Sequence, residues 1–397
     1  MINQNPRKLN PTHQYKIEKT DISSFTVAVI GGGLAGLSLC ILFSKAGYQT
    51  ILFEKDKYPF HKVCGEYISM ESWNFIEKLG LSLSSLQLPI IRKLVVSSPG
   101  GHVIQSDLDI GGFGISRYFL DNELKKIAVE NGVIIYEETK VTDVVFNGDT
   151  FNVIYNGGEI SSKIVAGCFG KRSNLDVKWK RPFIQKKPGK LNNYIGVKYH
   201  TRNIAEADTI ALHNFKNGYC GFSKIEKDEY CLCYLTTAKN LKSNNNSIRQ
   251  MEENILYKNP FLQKIFTEAE FIFKEPATIS QISFDKKSPV ENHILMLGDA
   301  AGLITPLCGN GMSIAFHSAK IAFENIDLFL NEKISRQKME REYSKEWKRN
   351  FAKQLSNGRI IQYFFGKEKL TDLFIKTLKY FPSFINQLIK STHGEEF

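Results

Sequence analysis

The chain has 397 residues, of which 42% are hydrophobic and 23% are charged, and its formal net charge is +11. This length favours two domains, and the composition is that of a globular protein, which excludes a disordered, collagen-like or disulfide-stapled chain. The positive charge suits an anionic cofactor, an anionic membrane or nucleic acid, but no nucleic-acid-binding motif occurs, so nucleic acid is not an expected partner.

The sequence carries no sign of export or membrane insertion. Residues 1–24 are polar and lack the apolar segment of a secretory signal, and no run of about 18 apolar residues follows. The seven cysteines are scattered, as is typical of free thiols in a reducing compartment, and no metal site is expected. We therefore expect a cytoplasmic protein, with peripheral membrane contact left open.

A strand–helix–strand unit opens the predicted fold, with strands at 25–30 and 50–53 around a helix at 34–46. Between strand and helix, Gly31, Gly33 and Gly36 form Gly-x-Gly-x-x-Gly, which permits a tight turn, close approach of a diphosphate and close helix packing. Glu54 ends the second strand, where an acid binds ribose hydroxyls and disfavours a 2′-phosphate. This order of features predicts binding of FAD or NAD.

Later segments predict a discontinuous domain. Helical spacing covers 70–79, 117–130 and 311–330, strand patterns lie at 90–96, 102–106, 133–165 and 194–235, and a buried strand lies at 293–297. The expected fold is α/β: a discontinuous Rossmann-type FAD-binding domain with an inserted, mostly antiparallel β-sheet substrate domain and a C-terminal helical segment. The predicted boundaries are 1–24 for a polar tail; 25–90, 114–178 and 290–330 for the FAD-binding domain; 91–113 and 179–289 for the substrate domain; and 331–397 for the C-terminal helices.

A second glycine-rich turn follows the late strand. Gly298 and Asp299 begin it, and Pro306, Gly309 and Gly311 precede the long helix. Alone, this turn could be a structural strand-to-helix loop. Beside the first motif it resembles the flavin-binding turn of the p-hydroxybenzoate hydroxylase and geranylgeranyl reductase superfamily, a resemblance that covers most of the chain.

The resemblance implies FAD contacts. In that superfamily the Asp of the late turn holds the ribityl chain, which implies this role for Asp299. The glycines that follow present N–H groups to the flavin, which implies Gly309 and Gly311. Arg117 begins a helix that looks like the family's FAD-contacting helix, although a surface cation on an amphipathic helix is the alternative.

Three further positions concern the FAD-binding domain. Lys55 and Val141 are expected cofactor contacts. Phe169 stands where the family's Asp-Gly motif has its acid, which weakens any assignment of nicotinamide handling to this segment.

Cys64-Gly65-Glu66 resembles the loop that lies against the flavin in the geranylgeranyl-reductase-like branch. Cys64 could donate a proton or orient substrate, and Glu66 and Pro306 are the other predicted catalytic residues. The alternative is an inert Cys64, with Glu66 capping the helix that begins near residue 69. Tyr219 and Phe222 lie in a strand that resembles the branch's substrate sheet, which implies a substrate pocket, although aromatic strands are also typical of a core.

Residues 333–390 combine aromatic side chains with many lysines and arginines. This composition favours helices that pack on the FAD-binding domain with a solvated basic face. Contact with an anionic membrane surface is the alternative, and it would suit a lipophilic substrate.

The leading functional hypothesis is an FAD monooxygenase that uses O2 to hydroxylate a lipophilic (aromatic, polyketide or isoprenoid-like) substrate. With one dinucleotide fingerprint, the chain is expected to meet NADH or NADPH only transiently as reductant. The alternatives are a geranylgeranyl-reductase-like enzyme that saturates C=C bonds and a flavin-binding module without turnover. A flavin halogenase is disfavoured because its Trp-x-Trp-x-Ile-Pro signature is absent.

Overall fold

The computed structural model describes residues 24–187, 192–202, 206–305, 309–364, 367–378, 380–381, 394 and 396–397. The strands in this part are β1 (Ser24–Ile30), β2 (Thr50–Phe53), β3 (Tyr67–Ser69), β4 (Ile90–Ser97), β5 (Val103–Gly114), β6 (Ile134–Tyr136), β7 (Val141–Phe146), β8 (Phe151–Tyr155), β9 (Gly158–Gly167), β10 (Asn192–Arg202), β11 (Thr209–Phe215), β12 (Gly218–Lys224), β13 (Tyr230–Thr237), β14 (Glu270–Phe271), β15 (Ala277–Ser283), β16 (Val290–Glu291) and β17 (Ile294–Met296). The α-helices are α1 (Leu34–Lys45), α2 (Trp73–Leu79), α3 (Arg117–Glu130), α4 (Asn174–Lys178), α5 (Ala238–Lys242), α6 (Ile248–Ile255), α7 (Pro260–Glu268), α8 (Gly311–Leu330), α9 (Arg336–Phe364) and α10 (Glu368–Leu378).

The first sheet has the strand order β16-β17-β9-β1-β2-β6, and the β7–β8 hairpin continues from β9. The pairs β17–β9, β9–β1, β1–β2 and β2–β6 are parallel. Every residue of β2 and β17 is buried, as expected for parallel strands covered on both faces. Along the chain, β16, β17 and α8 come after the strands of the second sheet, yet they belong to the domain of the first sheet. The Rossmann-type domain is therefore discontinuous, which confirms the expected fold class.

The second sheet is mostly antiparallel, with the order β14-β10-β13-β12-β11-β4-β5-β3 and β15 beside β10. Strand β3 lies within the range 25–90 that the sequence assigns to the FAD-binding domain, yet it pairs with β5 of this second sheet. One face of the sheet packs on helices α6 and α7 through Met251 and Leu262, and on the 3₁₀ turn between them through Leu256. We call the other face the front face; it contributes Tyr194, Tyr219 and Leu235 to a cluster with Leu303, which follows strand β17.

Helix α9 packs on the first domain along one stripe. Its buried residues recur every four positions, which places them on one side of the helix: Met339, Tyr343, Trp347, Phe351 and Leu355. The Tyr343 hydroxyl donates a hydrogen bond to the Met296 carbonyl at 2.6 Å. The described helices include none that is both long and apolar enough to cross a bilayer.

Local sequence signals located several elements accurately. Helices α3 and α8 have the bounds that the spacing predicts, whereas the helix predicted over 70–79 begins as a 3₁₀ turn, Met70–Ser72, before α2. The predicted turns between β11 and β12 and between β12 and β13 adopt the left-handed backbone at Asn217, Lys227 and Asp228.

A carboxyl group is buried beneath the second sheet. Glu252 Oε1 accepts hydrogen bonds from the Tyr199 hydroxyl at 3.0 Å and the Tyr234 hydroxyl at 2.7 Å. Burial raises the pKa of Glu252 to about 7, although both hydroxyls lower it. Between pH 4.5 and 7 the folded state therefore binds a proton that the unfolded state releases, so this carboxyl makes stability fall as pH rises.

We expect Glu252→Gln to exceed the wild type in free energy of unfolding by about 2–3 kcal/mol at pH 8 and by much less at pH 5. Glutamine keeps the shape and the acceptor oxygen but carries no charge. Urea unfolding at the two pH values measures the difference, with Glu253→Gln, at a more exposed neighbouring position, as the control. Equal stability of the variant and the wild type at pH 8 would contradict the raised pKa.

Candidate functional site

The glycine loop after β1 leaves open space over the start of α1. Gly31 has a φ of +103°, and a Cβ added there would lie 2.5 Å from the Cys168 carbonyl oxygen. At Gly33, the residue before α1, the nearest atoms to an added Cβ are Arg117 Nη2 at 3.7 Å and Lys62 Nζ at 3.9 Å. A helix N-terminus flanked by two cations fits the diphosphate of a dinucleotide.

The side chain of Glu54 supports the glycine loop through hydrogen bonds. Its carboxylate is buried and accepts hydrogen bonds from the Gly32 N–H at 2.8 Å and the Asp56 N–H at 3.1 Å. A carboxylate has further lone pairs, so Glu54 can also accept ribose hydroxyls, as the sequence predicts. The neighbouring Lys55 extends into solvent, with its ammonium 3.5 Å from Asp56.

The cations over Gly33 are fixed by one acid. The guanidinium of Arg117 donates to Asp121 through Nε at 2.7 Å and Nη2 at 2.8 Å, and Lys62 Nζ lies 2.9 Å from the same carboxylate. Burial would raise the pKa of Asp121, but Arg117 and Lys62 outweigh it and lower the pKa. Arg117 therefore lies at the predicted cofactor site in a preorganised position, held by a bidentate pair.

The late turn offers a polar group for the ribityl chain. The side chain of Asp299 is half-buried and has no hydrogen bond to any described residue, while its carbonyl accepts Lys287 Nζ at 2.7 Å. Gly298 and Gly309 adopt positive φ values of 54° and 67°, as a tight glycine turn requires. A carboxylate with no hydrogen-bond partner among the described residues, beside this turn, fits the ribityl chain of FAD. Pro306 lies outside the described residues.

Two other positions considered in the sequence, Val141 and Phe169, make contacts within the protein. Val141 is the buried first residue of β7, and its carbonyl accepts a hydrogen bond from Asn174 Nδ2 at 3.0 Å. Phe169 packs edge-to-face on Trp179, with ring centroids 6.2 Å apart. A hydrophobic contact thus stands where the family motif has an acid.

Glu66 is the centre of a buried charge network. Its side chain has no exposed surface, and its carboxylate lies 2.5 Å from Lys198 Nζ, 2.6 Å from His200 Nε2 and 2.7 Å from the Arg117 N–H. Burial alone would raise the pKa of Glu66, but Lys198 and His200 outweigh it and lower the pKa to about 2. The network ties the Cys-Gly-Glu loop to β10 and to the start of α3.

These contacts correct one expectation about Glu66, because its carboxylate accepts the first N–H of helix α3 instead of capping the helix near residue 69. The predicted catalytic role of Glu66 stays a prediction, and its contacts with Lys198, His200 and the Arg117 N–H favour a positioning role. Cys231 Sγ lies close to Glu66 and His200, a grouping that metals favour, but Lys198 already supplies the positive charge there. Sequence analysis missed Lys198 and His200, although two basic residues at alternate positions of a buried strand were a usable signal.

The loop that carries Cys64 lies on the front face of the second sheet. The Cys64 carbonyl accepts a hydrogen bond from Cys231 Sγ at 3.2 Å, and Val63 lies 3.0 Å from where a Cβ on Gly196 would be. Cys64 and Cys233 are both partly exposed, and the desolvated surroundings of the Cys233 thiol raise its pKa to about 12, which disfavours its reactive thiolate form.

Tyr219 and Phe222 do not share a surface, which corrects the expectation that both line one pocket. Residues three apart in a strand point to opposite faces. Tyr219 belongs to the front-face cluster with Leu303, whereas Phe222 stacks on Tyr230 in the cluster under α6 and α7. Only Tyr219 remains a candidate substrate contact.

Comparison with known proteins gives relatives of several kinds. The chain is 22% identical to the conditioned medium factor receptor 1 of Dictyostelium discoideum over 87% of this chain and 71% of the receptor. It is 24% identical to the digeranylgeranylglycerophospholipid reductase of Methanococcus vannielii over 88% of each chain. A solved structure of a flavin-dependent brominase, the Bmp2 triple mutant, superposes with a TM-score of 0.75 over 92% of this chain and 94% of the brominase.

The brominase is only 19% identical to the chain, so this likeness shows a shared fold alone. A family model describing an FAD binding domain matches residues 24–357, which is most of the chain. That range contains the glycine loop, Glu54, the Arg117–Asp121 pair and the Asp299 turn. The chain therefore belongs to this FAD-binding domain family and is an FAD-dependent oxidoreductase.

Proposed function

We propose that the protein is an NADH- or NADPH-dependent FAD monooxygenase that hydroxylates a lipophilic substrate. The observation that carries this proposal is the apolar front-face cluster of the second sheet. Tyr194, Tyr219 and Leu235 from three strands pack there against Leu303, which lies four residues after Asp299. An aromatic and aliphatic surface thus meets the turn assigned to the ribityl chain, as expected where an apolar substrate approaches a flavin.

When bound and reduced, FAD supplies two electrons for the reaction with O2. The balance is substrate plus O2 plus NAD(P)H and a proton, giving hydroxylated substrate, water and NAD(P)⁺. The chain's own part is positioning: Arg117 and Lys62 would hold the diphosphate, Asp299 would hold the ribityl chain, and the front-face cluster would exclude water. Beside the loop, the buried charges of Glu66 and Lys198 neutralise each other, and Lys171 donates a hydrogen bond to the Val63 carbonyl at 3.2 Å.

A second candidate, reduction of an isolated C=C bond, is favoured by a different observation. Cys64 is a partly exposed thiol in the loop on the front face, where it would be the proton donor to one carbon of the C=C bond, while bound, reduced FAD would supply the two electrons. The relative that reduces digeranylgeranylglycerophospholipids, as its name states, covers 88% of this chain. Halogenation stays outside the proposal because the halogenase signature is absent.

Replacing Cys64 with Ser separates the two reactions. For hydroxylation we expect a change of less than about threefold, since no proton donor is required at the loop. For alkene reduction we expect a loss of about a hundredfold or more, the usual contribution of a general acid. The measurements are NAD(P)H oxidation with O2 uptake on 4-hexylphenol, and anaerobic reoxidation of reduced enzyme by geranylgeraniol.

Cys233→Ser is the matched control because it changes another partly exposed thiol of the same surface, whose pKa is raised to about 12. Formation of hydroxylated 4-hexylphenol coupled to O2 uptake supports the monooxygenase. Reoxidation by geranylgeraniol that disappears in Cys64→Ser would replace that proposal with the reductase. Retained FAD without turnover on either probe would favour the module without catalysis.

A further inference from the structure

Helix α10 has one buried face and one bare apolar face. Thr371, Ile375 and Leu378 are buried, and the last two pack with Val96 and Ile104 of strands β4 and β5. Asp372 anchors the helix by accepting a hydrogen bond from the Gly100 N–H at 2.9 Å. The helix is thus attached to the second sheet by one side only.

A second side of α10, next to the buried one, exposes a stripe of large hydrophobic side chains. Leu370, Leu373 and Phe374 recur at helical spacing, with 48%, 62% and 37% of their surfaces exposed, and Tyr380 and Phe381 follow with 75% and 58%. Other exposed hydrophobic residues in the described part of the chain are mostly scattered singly. A contiguous apolar stripe of this kind marks an interaction surface.

The charges beside the stripe are mainly basic. Lys367, Lys369 and Lys376 are exposed, and at helical spacing Lys369 and Lys376 lie together along one border of the stripe. Helix α10 also carries two acids, Glu368 and Asp372, so its own formal charge is balanced. At 100° per residue both acids lie away from the stripe, and Asp372 accepts the hydrogen bond from the Gly100 N–H. Large apolar side chains bordered by lysines are typical of a helix that lies in the interface of an anionic bilayer.

The underside of α10 is continuous with the proposed substrate surface. Leu212 packs both against the α10 cluster of Ile375 and Leu378 and against the front-face cluster that contains Tyr219. A bilayer that contacts the bare side of α10 would therefore lie one helix away from the apolar surface beside the flavin turn.

We propose that α10, with Tyr380 and Phe381, docks the protein on an anionic membrane surface, from which a lipophilic substrate reaches the front-face cluster. The inference of membrane docking depends on the apolar stripe and its lysines. Only the delivery of substrate depends on the proposed function. The net charge of +11 adds long-range attraction to the same surface.

Vesicle sedimentation of the full chain tests the docking. We expect binding to vesicles of phosphatidylcholine with 30% phosphatidylglycerol, weak binding to pure phosphatidylcholine, and release as the salt concentration rises. Lys369→Gln and Lys376→Gln should each weaken binding by about fivefold. Leu373→Glu should abolish it, while Val129→Glu, at an exposed position of α3, should leave it unchanged.

Two outcomes would overturn the proposal. One is equal binding of wild type and Leu373→Glu, or no binding, to anionic vesicles. The other is a dimer of the wild type that Leu373→Glu dissociates in the absence of vesicles, which would assign the stripe to a second copy of the chain. FAD content and turnover of 4-hexylphenol dispersed in detergent are measured on the same samples, so loss of docking is distinguished from failure of the proposed reaction.

Discussion

Gly33→Asp protein is expected to be purified colourless, where the wild type is yellow with bound FAD. An Asp side chain finds open space there and points toward Arg117 and Lys62, whose nearest atoms are 3.7 and 3.9 Å from the added Cβ. The new carboxylate occupies the diphosphate position and pairs with Arg117 and Lys62. It also repels the negative charge of the FAD diphosphate. Like-charge placement of this kind costs several kcal/mol, so we expect FAD affinity to fall by about a thousandfold or more.

The fold should survive this change, because outside the two neighbouring residues the atoms nearest to the added Cβ are the side-chain nitrogens of Arg117 and Lys62, and Asp is a favoured residue at the N-cap position of a helix. Circular dichroism and the melting temperature of Gly33→Asp should match those of wild-type protein stripped of FAD. Gly33→Ala is the matched control: its methyl group crowds the site without charge, and we expect a smaller loss of affinity. Stoichiometric FAD in purified Gly33→Asp, read from the flavin absorbance, would place the diphosphate elsewhere.

The parts of this site that sequence reasoning found are those encoded by neighbouring residues. Gly31, Gly33 and Gly36 follow a buried strand and precede a helix, and their roles depend on a few consecutive backbone positions. The bounds of α3 and α8 followed from side-chain spacing for the same reason. Such features need no knowledge of what packs against them.

The parts that sequence reasoning missed depend on contacts between distant segments. Glu66 meets Lys198 and His200 across 132 and 134 positions of the chain. The residues around Glu66 do not reveal these partners, so the sequence predicts Glu66 to be catalytic or to cap the next helix. The error at Phe222 differs in kind, because counting alternate positions from Tyr219 was enough to assign it to the opposite face.

Glu66→Gln is expected to lower the free energy of unfolding by about 3–5 kcal/mol at pH 7, because it leaves Lys198 buried without a counter-charge. The loss of unfolding free energy caused by this substitution should be smaller at acidic pH. The pKa of Glu66 is about 2 in the folded state, against an ordinary value of 4.5. Between these values the unfolded state binds a proton that the folded state does not, so wild-type stability falls as pH drops from 4.5 toward 2, and the Gln variant lacks this contribution.

Chemical denaturation at pH 7 and pH 3 measures both effects. Adding Lys198→Met to Glu66→Gln removes the unpaired ammonium and should recover roughly 2 kcal/mol at pH 7. Glu253→Gln, which breaks an exposed pair with Arg249, should show no measurable change. A Glu66→Gln protein of wild-type stability that binds FAD but does not turn over would reverse our assignment, because only a residue acting on substrate would then explain the loss.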